Sequence, residues 1–301
     1  MPTFPPPFGV LPIGAATYTA AATVSERLLL LSPRDSDAAT LVASSSVSGL
    51  PASNLQGADP AKKWRSNGTT SASFTLAFAV PVMANALAIV GHNLSDVAVV
   101  RVRGAALLAN VTAAPDIDSG WQSAWPASGK PVASSWPQML TLARWANTTF
   151  AAYYQVDIAD PSPTVTYLEA ARLVLGAYWQ PTSANFDMGG TPLGFDTTDV
   201  QLKTRYGRLF TDKSADSAAR TFELNCYAFD KREAFDGLYE VRRLRGMWGD
   251  VICSLDPGET TDFHRFAMQG VFSDAPAYTL PPVFNDNGSM FGAAIRLREL
   301  I

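Results

Sequence analysis

Few residues in this chain are able to do acid–base or ligand chemistry, and those few define its chemical options. There are two histidines, His92 and His264. The run Asp262-Phe263-His264 places a carboxylate two residues from an imidazole, and on a strand both side chains would share a face. A hydrolase built on that pair also needs a nucleophile, and no G-x-S-x-G elbow occurs. His92 follows Gly91 at the end of an apolar run and precedes Asn93, the setting of a hydrogen-bonded turn histidine. No catalytic residue is predicted and the chain is expected not to be an enzyme; a His264–Asp262 hydrolase is the residual catalytic option.

Cofactor chemistry finds no better footing. Dinucleotide fingerprints, phosphate-binding glycine loops and the H-E-x-x-H zinc motif are absent from the sequence. Asp35/Asp37 and Asp116/Asp118 offer clustered oxygens of the kind calcium takes, but neither pair sits in a D-x-[DN]-x-[DN]-G loop. Turn aspartates ordinarily bond their own backbone, so no metal and no cofactor are expected. A glycosidase requires two positioned carboxylates, and seven Glu spread along the chain single out no pair. Cys226 and Cys253 lie in apolar strand-like runs and read as buried thiols; two cysteines make neither a disulfide framework nor a Cys-only zinc site.

The enrichment that stands out is aromatic. Trp121, Trp125, Trp136 and Trp145 fall close together, with Tyr153 and Tyr154 just after. An exposed indole makes a platform for a sugar ring, so Trp121, Trp125 and Trp136 are the candidate carbohydrate-binding residues. The competing assignment for each is cover for a core beneath a long loop, or packing against another subunit. At the N-terminus, Phe4 and Phe8 flank Pro5-Pro6-Pro7; this polyproline segment is either a frayed end or an extended arm that docks on a neighbouring subunit.

The elements that must position these residues are mainly strands. Of 301 residues, 47% are hydrophobic and only 17% charged, with 21 Gly and 21 Pro, a mixture that disfavours helical bundles and disorder. A net charge of −4 without a basic block removes the footprint of nucleic-acid binding. No Lys or Arg precedes Arg27, as a secretory signal would need, and the apolar run 76–91 is broken and too short to span a bilayer. A soluble protein made in a reducing compartment is expected. Phe74, Leu76 and Phe78 alternate with small residues; strands are also predicted at 28–31, 87–90, 97–103 (Arg101 and Arg103 on one face), 153–158 and 164–175. A long loop is expected over 110–137.

This gives a mainly β chain: a Pro-rich arm (1–24), a β-sandwich (25–181), a turn-rich connector (182–199) and an α+β unit (200–301). In the last, a strand over 220–229 leads to a helix over 231–245. Asp230 with Glu233 would cap it, Ala234, Leu238, Val241 and Leu244 form its stripe, and Gly246 closes it. Further strands are predicted at 250–255, 263–272 and 290–300.

Several stretches resemble known families. Leu50-Pro51-Ala52-Ser53-Asn54-Leu55 followed by Lys63-Trp64-Arg65-Ser66 is similar to the opening of galactose-binding-like (discoidin-type) jelly rolls. The order Phe74–Phe78, Ala88-Ile89-Val90-Gly91-His92-Asn93-Leu94-Ser95, Val99–Arg103 resembles the jelly rolls of tail-tip proteins of tailed bacteriophages and gene transfer agents. Arg172 ahead of Leu173–Pro181 resembles the segment that closes such domains, and the strand–helix–strand order after 220 resembles the belt or hub domains of distal tail proteins. The resemblance implies a jelly-roll sandwich followed by an α+β belt-like domain in a virion tail, synthesised in a host bacterial cytoplasm. It implies a homo-oligomeric ring as partner, with other tail proteins (tube, central fibre or hub) and host surface glycans as further partners, and no nucleic acid or membrane segment. Sugar-binding residues of the family do not align by motif here, so none is carried over.

Overall fold

Alternation of apolar and polar residues builds the first sheet. In the computed structural model, which describes residues 27–131, 138–182, 193–196, 200–203, 209–212, 218–229, 233–273, 278–279 and 291–301, the strand Ser71–Met83 buries Ala72, Phe74 and Leu76 and turns Ser73, Thr75 and Ala77 outward. It pairs antiparallel with Thr40–Ala43 on one side and Phe150–Ala159 on the other. Phe150–Ala159 in turn pairs with Val99–Ala105, whose far edge takes the short strands Ile117–Asp118 and Gln122–Ser123. These last two lie inside the expected 110–137 loop. They form because the chain there extends the Val99–Ala105 ladder, with Ser119 N–H donating to the Val102 carbonyl (2.9 Å).

Opposite this six-stranded sheet stands a three-stranded one, with Ala86–Val90 between Arg172–Gly176 and Leu140–Arg144. Every residue of Ala86–Val90 and Arg172–Gly176 is buried, which is why both sequences, Arg172 apart, run apolar without alternation. Phe74, Leu76, Val102 and Val156 meet Leu87, Ile89, Leu173 and Leu175 in the core between the sheets. The predicted β-sandwich is present.

The other face of the three-stranded sheet is covered as well. Ala88, Val90 and Val174 pack on Leu29, Leu31 and Ile252, which belong to an eight-stranded antiparallel sheet. Leu29–Leu31, expected within the sandwich, pairs instead with Asp250–Ser254 and with Tyr178–Trp179. The two halves of the chain therefore share a sheet, and the strands that flank the sandwich in sequence carry the connection.

A helical segment covers the remaining face of that sheet through Ala234, Leu238 and Val241, against Leu30, Phe222, Leu224 and Cys253. The stripe predicts one α-helix over 231–245; the segment is π-helical over Glu233–Tyr239 and α-helical only over Glu240–Arg245. Trp179 packs so closely on Gly237 that a β-carbon there would collide with the indole nitrogen, and the wider π turn accommodates this ring. Gly246, at φ +57°, ends the helix as predicted. The Asp230 cap, the N-terminal arm with Phe4 and Phe8, and Trp136 lie outside the described residues.

Two more expectations are corrected. Leu193–Asp196, inside the expected connector, is a strand paired with Ala219–Phe229. The expected strand 263–272 begins as a short helix, Phe263–Phe266, and becomes extended only at Ala267–Phe272. The helical turn lets Phe263 enter the core under the three-stranded sheet while Phe266 packs against the core under the helix. No helix among the described residues is long and apolar enough to cross a membrane.

Candidate functional site

The structure separates the tryptophans that composition alone groups together. Trp121 sits in the turn between Ile117–Asp118 and Gln122–Ser123, half exposed (50%), while Trp125 four residues later is 4% exposed. Gly120 takes φ +67° in that turn, and its N–H donates to Asp118 Oδ1 at 2.9 Å. The turn thus holds the Trp121 indole over the outward face of the six-stranded sheet, with the Arg101 guanidinium 5.9 Å from the ring centre.

Outward residues of three adjacent strands meet on that face. Arg101 and Arg103 point the same way, as predicted; Arg101 Nε donates to Asp118 Oδ1 (2.8 Å) and its second nitrogen to Oδ2. Arg103 donates twice to Asp157 Oδ2 (3.1 and 2.6 Å), and Gln155 Nε2 donates to Asp157 Oδ1 (2.6 Å). The Arg101 hydrogen bond, assisted by the Gly120 N–H against the cost of desolvation, holds the Asp118 carboxyl down to about 2. Asp118 is therefore a permanent acceptor at neutral pH. An exposed indole beside two guanidinium–carboxylate pairs offers a flat apolar face and fixed donors and acceptors, the elements of a sugar platform.

Trp125 is not part of it. Its Nε1 donates to the Ser95 carbonyl (2.5 Å), and its ring lies 4.9 Å from the His92 ring and 5.8 Å from the His264 ring. It covers core beneath the 122–131 segment, so the assignment of Trp125 to a carbohydrate surface is corrected. Trp145, at 7% exposure, is also core.

The histidine–aspartate option fails on geometry. Asp262 and His264 sit on a helical turn, not a strand; Asp262 pairs with Arg265 at 2.7 Å on the surface while His264 is buried. Its two ring nitrogens have no hydrogen-bond partner among the described residues. Three of the four aspartates weighed for calcium are otherwise engaged: Asp37 accepts from Arg172 (2.6 and 2.9 Å), Asp118 from Arg101, and Asp116 from the Ala106 N–H (3.1 Å). No group of three or more His, Cys, Asp or Glu residues converges on a metal position among the described residues. Cys226 and Cys253 are buried free thiols, and burial pushes Cys226 up to about 12 and Cys253 higher still.

The sequence singles out Asp37 and Arg172 separately, but nothing in it joins them in a second charged cluster. Arg172, at the start of the last strand of the three-stranded sheet, faces the eight-stranded sheet and donates to Asp250 (2.9 and 3.0 Å), Asp37 and the Leu55 carbonyl (3.1 Å). Asp250 also accepts from Arg245 (2.8 Å) and Gln269 (2.7 Å). Two cations and two anions neutralise one another at the seam between the sheets, with Arg172 and Asp250 each about 1% exposed. Asp37 and Arg172 stand 135 positions apart, and only folding brings them together.

No family model and no curated protein sequence matches the chain. Solved structures match part of it. A family 32 carbohydrate-binding module of C. perfringens NanJ, in complex with galactose, covers 50% of this chain and 98% of its own at 12% identity, with a TM-score of 0.35. A second Clostridium perfringens family 32 module, in complex with GalNAc-β-1,3-galactose, covers 48% of this chain and 99% of its own at 14% identity and a TM-score of 0.34. A chitosan-binding module from a Paenibacillus chitosanase/glucanase covers 46% of this chain and 96% of its own at 13% identity and a TM-score of 0.32.

Proposed function

We propose that the chain is a non-catalytic recognition protein whose β-sandwich binds carbohydrate on the outward face of its six-stranded sheet. The observation that carries the reading is the half-exposed Trp121 ring held beside the Arg101–Asp118 pair. An exposed indole face gains by leaving water for the C–H face of a sugar, and the flanking ion pairs supply directional hydrogen bonds to hydroxyls. Arg103, Asp157 and Gln155 extend the same polar row away from the indole. A glycan array of neutral and acidic host-type polysaccharides tests it. Binding by the native chain that disappears in Trp121→Ala, with folding intact, supports the reading; equal binding by both removes Trp121 from it.

A second reading is compatible with the first: a structural component of a phage tail tip, in a homo-oligomeric ring between tube, central fibre and receptor-binding parts. What favours it is the large apolar residues left exposed on the C-terminal half, Trp248 (78%) and Phe195 (74%), alongside a low overall charge. Trp and Met, here Trp248 and the exposed Met247, are among the residue types enriched in protein interfaces. In this reading Phe4 and Phe8 lace neighbouring subunits, and the protein resides in the virion. Sedimentation over a wide concentration range separates the readings: a closed ring supports the scaffold role, whereas a persistent monomer leaves recognition alone.

A further inference from the structure

The seam between the three-stranded and eight-stranded sheets, packed by Ala88, Val90 and Val174 against Leu29, Leu31 and Ile252, is flanked at one place by the Arg172 cluster and at another by an aromatic wedge. Trp125 from the sandwich lies between His92, just after Ala86–Val90, and His264, on the Phe263–Phe266 turn of the C-terminal half. Thr141 donates its hydroxyl to the Ala124 carbonyl (2.7 Å), so at 2.9 Å it accepts from His92 Nε2, and His92 Nδ1 faces the Leu94 N–H (3.4 Å). His92 is thereby fixed as a neutral imidazole with both nitrogens in use. His264 is 6% exposed, packed on Trp125 and Phe263, with neither ring nitrogen bonded among the described residues.

The charges around the wedge would resist a proton. From the sandwich side, the Lys130 ammonium stands 5.5 Å from the Trp125 ring and donates to the Leu94 carbonyl (2.7 Å). From the eight-stranded sheet, the Arg220 guanidinium donates to the His264 carbonyl. The carboxylates on the surrounding elements are taken: Glu299 by Arg220 (2.9 and 2.6 Å), and Asp262 by Arg265. A protonated His264 would be a buried cation next to other cations with no acceptor, a state that opens sooner than it persists.

We propose that the His92–Trp125–His264 wedge is an acid-released latch: on acidification the seam opens at this wedge before the core between the sandwich sheets or the core under the helical segment melts. Burial first, and then Arg220, holds His264 down to about 4; burial, then Lys130 and His264, holds His92 down to about 3. An opened seam exposes the His264 imidazole and returns it to an ordinary value of about 6.5, whereas His92 keeps its Thr141 and Leu94 partners within the sandwich. The depressed His264 value means the closed state binds fewer protons, so the latch contributes fully above about pH 6.5, weakens as pH falls, and is lost through about 4. Asp37, at the other closure, is raised by burial and has the opposite sign, favouring the closed state on acidification.

The test is a pH series from 7.5 to 3 on the full chain, following hydrogen exchange of the 122–131 and 263–266 segments against that of the core strands. Imidazole resonances are recorded alongside; with two histidines in the chain, one substitution assigns both. The expected result is early exchange of those segments near pH 4 to 5, moved at least one pH unit lower in His264→Phe. If His264→Phe does not fold, His264→Gln takes its place and the same shift is expected. Segments that open at an unchanged pH in the variant, or a His264 resonance that titrates near 6.5 in the closed protein, overturn the latch.

Discussion

Two regions of this molecule are built from the same chemistry, arginine against carboxylate, in opposite settings. On the outward face of the six-stranded sheet, Arg101–Asp118 and Arg103–Asp157 are partly open to water, and the indole beside them is half exposed. At the seam, Arg172, Asp250, Arg245 and Asp37 are largely enclosed, and Asp250 alone accepts four side-chain hydrogen bonds. Solvent makes the difference. Water screens the outer pairs and leaves their remaining hydrogen-bonding capacity open to solvent or a ligand, whereas the buried cluster spends most of its hydrogen bonds internally and holds sheets together. Burial, more than residue type, separates the two: the open face is the one proposed for recognition, and the enclosed cluster joins sheets.

The contrast is sharpest under substitution. Arg172→Ala leaves Asp250 and Asp37 short of a partner in the seam and is expected to cost about 3–5 kcal/mol of unfolding free energy, measured by denaturant titration. A loss below about 1 kcal/mol would mean that apolar packing alone joins the sheets. Gly237→Ala drives a methyl into Trp179 and is expected to cost about 1–3 kcal/mol in the same assay. Arg103→Ala breaks a pair that is only 15% exposed on the arginine side yet borders solvent, and a loss of about 1 kcal/mol or less is expected. A cost matching that of Arg172→Ala would erase the distinction between the two regions. At the small end, Trp121→Ala should change stability by no more than about 0.5 kcal/mol, since its ring supports no core.

Much of the sandwich is legible in the sequence because its strands are half-buried: Phe74 and Leu76 alternate with Ser73 and Thr75, and period-two alternation is a direct imprint of a face. The helix end at Gly246 is legible for a similar local reason, since a left-handed turn favours glycine. What is illegible depends on long-range neighbours. Leu28-Leu29-Leu30-Leu31 reads as a buried strand, but nothing local says that its partner is Asp250–Ser254, more than two hundred residues later. The π-helical start of the helical segment answers to Trp179, not to its own periodicity. Of the candidate site, residue types were enough to mark Trp121 and Trp125 together, and to place Arg101 and Arg103 on one face. They could not tell an exposed indole from a buried one four positions away, because the distinction is made by a Gly120 turn and by the His92 and His264 rings.

The central claim is that recognition belongs to the outer face and cohesion to the interior, and Trp121 and Trp125 test it as a pair. Glycan affinity and melting temperature measured on Trp121→Ala and Trp125→Ala should part company. Trp121→Ala is expected to lose binding with an unchanged melting temperature, and Trp125→Ala to melt many degrees lower while its folded fraction still binds. Undiminished binding by Trp121→Ala, or loss of binding in folded Trp125→Ala alone, would contradict it.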